Sequence, residues 1–271
     1  MQINRLKLSI VTFLLTLPLT SVFLQAEEVG LKSAHLLTGW QNQDGTHYAA
    51  LELILAKGWK TYWRSPGKTG LTPEISFNGS KNLKSFRILW PSPIVFGPKG
   101  MWSVGYKDKL VLPFKITPND KTAPVALNLN ALLGLCENIC VPAEFTLNQK
   151  LQAGIKKRSP KIVAALIDKP KSGTEANIQN IACSFSLSND DILVRVSLNL
   201  PYVGDREVIM VEYEQPNHSV GLSSSSRSGP VLNAQAIINN NTGPIRSIER
   251  SKVRITVVST TKSVNAGTCS N

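Results

Sequence analysis

Ala123-Pro124-Val125-Ala126-Leu127-Asn128-Leu129-Asn130-Ala131-Leu132-Leu133-Gly134-Leu135-Cys136-Glu137-Asn138-Ile139-Cys140-Val141-Pro142-Ala143-Glu144 is the stretch whose reading decides the fold. Val125, Leu127, Leu129 and Ala131 recur at every second position, which places them on one face of a β-strand. Two of the four cysteines then stand with three residues between them. On a helix this spacing would bring both sulfurs to one face. The alternation before the pair and Pro142 just after it predict a hairpin instead, with Ala143 to Leu151 as the returning strand. Opposed strand residues have Cα atoms about 4.5–5.5 Å apart, a separation that suits a disulfide.

Such a bridge is a weak staple. Chain entropy assigns roughly 2 kcal/mol to a loop this small, and roughly 4.5 kcal/mol to a bridge between the other cysteines, Cys183 and Cys269. Three readings of the close pair stay open: redox exchange, a passive structural disulfide, and a metal site. Metal is the weakest, because two thiols need further ligands. His35, His47 and His218 are scattered and lack metal-ligand spacing. Cys183 and Cys269 are candidates for a structural disulfide, with a free Cys269 as the alternative.

Working outward, short strand patterns fill residues 28 to about 151. Thr46 to Ala56, Leu71 to Phe77, Leu83 to Trp90, Val104 to Tyr106 and Leu110 to Ile116 are separated by Gly, Pro and Asn turns. This spacing indicates an all-β chain built on an antiparallel β-sandwich. Ile162, Val163, Leu166 and Ile167 follow helical spacing behind Pro160, so 152–175 reads as a connector with a short helix. Beyond it, Ala182 to Leu187, Ile192 to Leu198, Val208 to Tyr213, Val231 to Ile238 and Lys252 to Val258 predict a second, smaller β-sandwich-like domain over 176–271. Pro216 to Pro230 is polar, contains Ser223 to Ser226, and reads as a mobile loop.

The first residues set the compartment. Arg5 and Lys7 precede a short apolar core, Ile10 to Leu24, and small residues lead to Ala26. This is a secretory signal peptide pattern over 1–26, cleaved near Ala26. The formal charge of +12, less the two cations Arg5 and Lys7, leaves +10 after cleavage. No later apolar run is long enough to span a bilayer, so no transmembrane segment is expected after cleavage. Lysines and arginines are dispersed, without the basic block or recognition motif that nucleic-acid binding requires. Export implies an oxidising compartment in which a close cysteine pair forms a disulfide.

Several separated motifs occur in a fixed order. They are Gly58-Trp59-Lys60-Thr61-Tyr62-Trp63-Arg64-Ser65-Pro66-Gly67, Trp90-Pro91-Ser92-Pro93, Gly105-Tyr106, and Cys136 through Pro142. In these the chain resembles the amino-terminal periplasmic domain of the DsbD thiol:disulfide interchange proteins, including the related ScsB branch, over roughly residues 30 to 150. The resemblance implies an immunoglobulin-like sandwich over 27–151 with a redox cysteine pair on a hairpin. It implies a thiol–disulfide oxidoreductase component, a protein-disulfide reductase without organic cofactor or metal. Electrons would pass from a membrane-embedded thiol reductase, here a separate chain, to periplasmic thioredoxin-like acceptors. Cys136 and Cys140 become the exchanging pair, with Cys140 forming the mixed disulfide and Cys136 resolving it.

Glu137 beside Cys136 works against thiolate formation, and no His or Lys sits in the turn. A shielded thiol is therefore expected. Tyr62, Trp63, Tyr106 and Trp59 are candidate shields, Pro142 a docking candidate, and Phe96 the candidate movable cover on its Pro/Gly-rich loop. The competing reading is a non-catalytic immunoglobulin-like module in envelope assembly or cytochrome c maturation, its disulfide fixed.

Overall fold

The computed structural model describes residues 29–67, 69–98 and 100–269; the expected signal peptide lies outside them. Ten strands fill the first part: β1 (Leu31–Gln41), β2 (His47–Leu55), β3 (Lys60–Gly67), β4 (Glu74–Ser76), β5 (Leu83–Ile88), β6 (Ile94–Phe96), β7 (Ser103–Lys107), β8 (Lys109–Pro118), β9 (Val125–Cys136) and β10 (Cys140–Leu151). They form two antiparallel sheets. One runs β1-β2-β8-β5, the other β10-β9-β3-β7-β6 with β4 also paired to β9. The alternating residues of β9 explain the layering. Val125, Leu127, Leu129, Ala131, Leu133 and Leu135 are all buried in one core with Leu51, Leu53, Leu112, Phe114 and Trp63. The chain is all-β and immunoglobulin-like, antiparallel throughout these sheets.

Among the described residues one short α-helix, α1 (Pro160–Ile167), begins with Pro160 in its first turn. That position needs no backbone donor. Ile162 packs with Trp40 and Ala50 on the outer face of the first sheet.

The later part holds β11 (Lys171–Ser172), β12 (Asn180–Ser188), β13 (Asp191–Asn199), β14 (Val208–Tyr213), β15 (His218–Ser228), β16 (Val231–Asn240), β17 (Val253–Val258) and β18 (Ser263–Thr268). They make two further sheets, β11-β18-β17-β14 and β12-β13-β16-β15, around a second core. The β11–β18 pair is parallel and the remaining pairs are antiparallel. The two cores touch: Val208, Met210 and Val258 join the first cluster.

The expected loop at Pro216 to Pro230 is corrected. Residues 218–228 form β15, hydrogen-bonded to β16 with a register shift between Leu222 and Ser225. β15 lies at a sheet edge, where a polar sequence is tolerated because one side stays open to solvent. β18 was not anticipated, since Asn265 and Gly267 dilute its strand signal. Nor were β3, inside a stretch that reads as a Pro-Gly turn, and β6, inside the Pro-rich loop.

Candidate functional site

The hairpin places Cys140 directly across from Cys136, their Cα atoms 4.1 Å apart, and joins them by a disulfide. The two sulfurs are not equivalent. Cys136 is 7% exposed, whereas Cys140 faces solvent. The bridge therefore presents one sulfur and hides the other.

β3 supplies the hidden side. Lys60 pairs with Cys136 and Thr61 with Leu135. Tyr62 then reaches back across the hairpin. Its hydroxyl donates to Cys136 Sγ at 2.8 Å and lies 3.0 Å from Cys140 Sγ. Burial raises the tyrosine pKa above its ordinary value, so the group stays a protonated donor. Two glycines make room for the ring. A Cβ on Gly134 would lie 2.7 Å from the Tyr62 ring carbons, and one on Gly70 would meet the same ring at 2.7 Å.

Phe96 completes the enclosure. It forms a small buried cluster with Tyr62 and Cys136, against which Ile94 packs. Its ring stacks on Tyr62 with centroids 6.3 Å apart. Ile94 and Phe96 share one face of β6, and Val95 between them enters the main core.

The other aromatic candidates lie elsewhere, for a simple reason of period. Trp63 follows Tyr62 on β3, so it points to the opposite face and is wholly buried in the sandwich core. Trp59 packs against that core too. Tyr106 is also a core residue; its hydroxyl donates to Pro91 O at 3.0 Å, and burial holds its pKa well above the usual value. Pro142 is exposed opposite Gly134 on β10, an edge strand that needs no donor there. Trp63 and Tyr106 thus belong to the sandwich core, Trp59 packs against it, and Pro142 is exposed on the second strand of the hairpin.

Lys60 is the residue that sequence reading missed. Its Nζ donates to Glu137 O at 3.3 Å and sits 5.9 Å from the Phe96 ring centroid. The turn itself holds no cation, but the neighbouring strand brings one to it. Its signal was present: Lys60 and Tyr62 are two residues apart and so share a face. Among the described residues, no three His, Cys, Asp or Glu side chains gather as a metal set.

Residues 33–151 match the family of thiol:disulfide interchange protein DsbD, N-terminal. This segment is a DsbD-type amino-terminal domain. The family match ends at Leu151, the last residue of β10. Across the wider chain, the crystal structure of the N-terminal periplasmic domain of ScsB from Proteus mirabilis superposes with a TM-score of 0.58 at 23% identity. That match covers 87% of this chain and 92% of the other, so the fold extends through both sheet pairs. A marsupial T cell receptor aligns over 83% of this chain and 92% of its own, at 8% identity and a TM-score of 0.16. No curated protein sequence matches the chain.

The second disulfide lies outside the DsbD-type segment. Cys183 is joined to Cys269 across a sequence separation of 86, and Cys269 is buried in the second core.

Proposed function

We propose that the chain is a periplasmic thiol–disulfide exchange module. In this reading residues 27–151 form the redox domain, 152–175 a connector, and 176–271 a second β domain. The observation that carries it is the asymmetry of the bridge: an exposed Cys140, a buried Cys136, and a tyrosine hydroxyl in contact with both sulfurs.

The electron balance follows from that geometry. A donor thiolate attacks Cys140 Sγ in line with the S–S bond. The bond breaks, and its electron pair leaves on Cys136 Sγ, where the Tyr62 hydroxyl already donates. A second donor thiolate then attacks the donor's own sulfur in the mixed disulfide. The donor becomes a disulfide, and Cys136 and Cys140 hold two electrons and take up two protons. In delivery the steps reverse. Cys140 thiolate attacks an acceptor disulfide, and Cys136 thiolate then attacks Cys140 Sγ, freeing a reduced acceptor. The donor of this scheme is a membrane-embedded dithiol protein on another chain, and the acceptors are thioredoxin-like proteins. Phe96 acts as the cover that shields Cys136 between encounters. Exposed Ile139 at the hairpin tip and Leu71 beside Tyr62 offer apolar contact for a docking partner.

Trapping tests the reading. Cys136→Ser leaves Cys140 able to attack but removes the resolving thiol, so mixed disulfides with thioredoxin-like envelope proteins should accumulate. Cys140→Ser should capture few, because its remaining thiol is enclosed. A fixed-bridge module instead predicts no captured partner from either variant and a reduction potential below about −300 mV.

A further inference from the structure

The short strand β6 is the outer strand of its sheet, yet its free edge is occupied by the second sheet pair. Val95 N–H donates to Ser259 O at 2.9 Å. Ser92 N–H donates to Asp168 O at 2.7 Å, and the Ser92 and Ser263 hydroxyls lie 2.6 Å apart. The Arg206 guanidinium donates to Gly97 O. Four contacts thus fall on residues 92–97, from the connector and from the segments flanking β14 and β17. Behind them Val208 and Val258, paired across β14 and β17, enter the same core as Val95. This is the segment whose face carries Ile94 and Phe96 over Cys136.

We infer that the second sheet pair is the positioning element of the Phe96 cover: Arg206, Ser259 and Ser263 hold residues 92–97 closed over Cys136, and the disulfide becomes fully accessible when these contacts release. The inference rests on the reading of Phe96 as a cover given above. The physical basis is local. A three-residue edge strand has too few bonds of its own to be held firmly, so external contacts set its opening equilibrium. Ser259 is itself fixed for this role. Its hydroxyl donates to Lys262 O and accepts from the Thr261 and Lys262 amides, which shapes the turn that presents Ser259 O to β6.

The test uses the full chain with Arg206→Ala plus Ser263→Ala, Phe96→Ala, and all three together. The rate of Cys136–Cys140 reduction by dithiothreitol is followed by alkylation and peptide mass. The Arg206/Ser263 variant should react about fivefold to tenfold faster, the scale of one net hydrogen bond, because the Arg206 bond is solvent-exposed and screened. Phe96→Ala should be at least as fast. The triple variant should gain nothing over Phe96→Ala, because both changes act through one opening. The reduction potential and the exchange protection of the Val194 amide should stay constant, while the Val95 amide loses protection. If Phe96→Ala is faster and the Arg206/Ser263 variant is not, the positioning role is overturned and the cover survives. Equal acceleration with and without Phe96 also overturns it. If Phe96→Ala is no faster than the parent, the cover itself fails.

Discussion

The Tyr62 hydroxyl stands 2.8 Å from Cys136 Sγ, the buried sulfur of the bridge. In the proposed exchange this contact, together with the burial of Cys136, favours Cys136 Sγ as the leaving group. A thiolate departing into an enclosed site loses water, and a fixed donor offsets that loss. Tyr62→Phe keeps the ring between Gly70 and Gly134 and removes only the donor. Reduction by a small dithiol should slow by about tenfold to a hundredfold, since a hydrogen bond to a charged group contributes about 1.5–3 kcal/mol. Stopped-flow or quenched alkylation checks it. An unchanged rate would remove Tyr62 from the exchange step.

Lys60 brings a positive charge to a turn that has none of its own. A nearby cation favours the thiolate and therefore the reduced pair. Lys60→Met should raise the pKa of the first thiol to ionise and make the reduction potential more negative. A shift of about 30 mV corresponds to about 1.4 kcal/mol, the scale of one partly exposed charge. Equilibration against glutathione measures it, and a shift to a less negative potential would contradict the charge argument.

Gly134 is required by packing rather than by conformation. A Cβ there would meet the Tyr62 ring at 2.7 Å and Leu71 Cβ at 2.8 Å. Gly134→Ala should cost about 1–3 kcal/mol of stability by overpacking, and should displace Tyr62 from the sulfurs. A thermal melt and the reduction rate should both fall. A slower rate with an unchanged melt would mean the ring moves without strain.

The sandwich was legible because its strands are half-buried and alternate. β9 announces its inward face at Val125, Leu127, Leu129 and Ala131, and the hairpin follows from what flanks the cysteines. The site was only half legible. Phe96 stood out as an aromatic in a Pro/Gly-rich loop, but Tyr62, Trp63 and Tyr106 looked alike. What separates them is which face of β3 or β7 each occupies, and that depends on register with β9. Lys60 shared a face with Tyr62 by its spacing, but its place at the cysteines was not legible: it lies 76 positions before Cys136 and meets it only through strand pairing. The contacts from Ser259 and Arg206 to β6 depend on how two sheet pairs dock, which no local pattern encodes.

His47 makes stability depend on pH. Its ring is buried, its Nε2 has no hydrogen-bond partner, and burial followed by the Lys156 charge lowers its pKa below the ordinary histidine value. The unfolded chain therefore binds more protons than the folded one between the depressed folded value and about 6.5. Stability is fully present above that window and falls as pH drops through it. The Glu52 carboxylate, held low first by its hydrogen bond from Lys161, loses its contribution only at more acid pH. His47→Gln should flatten the melting temperature between about pH 7 and about pH 5 while leaving the steeper fall below. An identical pH profile in the variant would show that His47 stays uncoupled from folding.

The two disulfides should yield to reductant in a fixed order. Cys140 offers an exposed sulfur, and in the proposed exchange the Tyr62 hydroxyl donates to the sulfur that departs, Cys136 Sγ. Cys183–Cys269 closes a far longer loop and has Cys269 only 2% exposed. Loop entropy separates them by about 2.5 kcal/mol, which is on the order of fiftyfold to a hundredfold in effective reductant. Under graded dithiothreitol, alkylated peptides carrying Cys136 and Cys140 should appear first, with the native melt retained. Labelling of Cys183 and Cys269 should come only with loss of the second core, at a cost of about 2–5 kcal/mol. If all four cysteines label together, the close pair is no more exchangeable than a staple, and the exchange reading loses its physical basis.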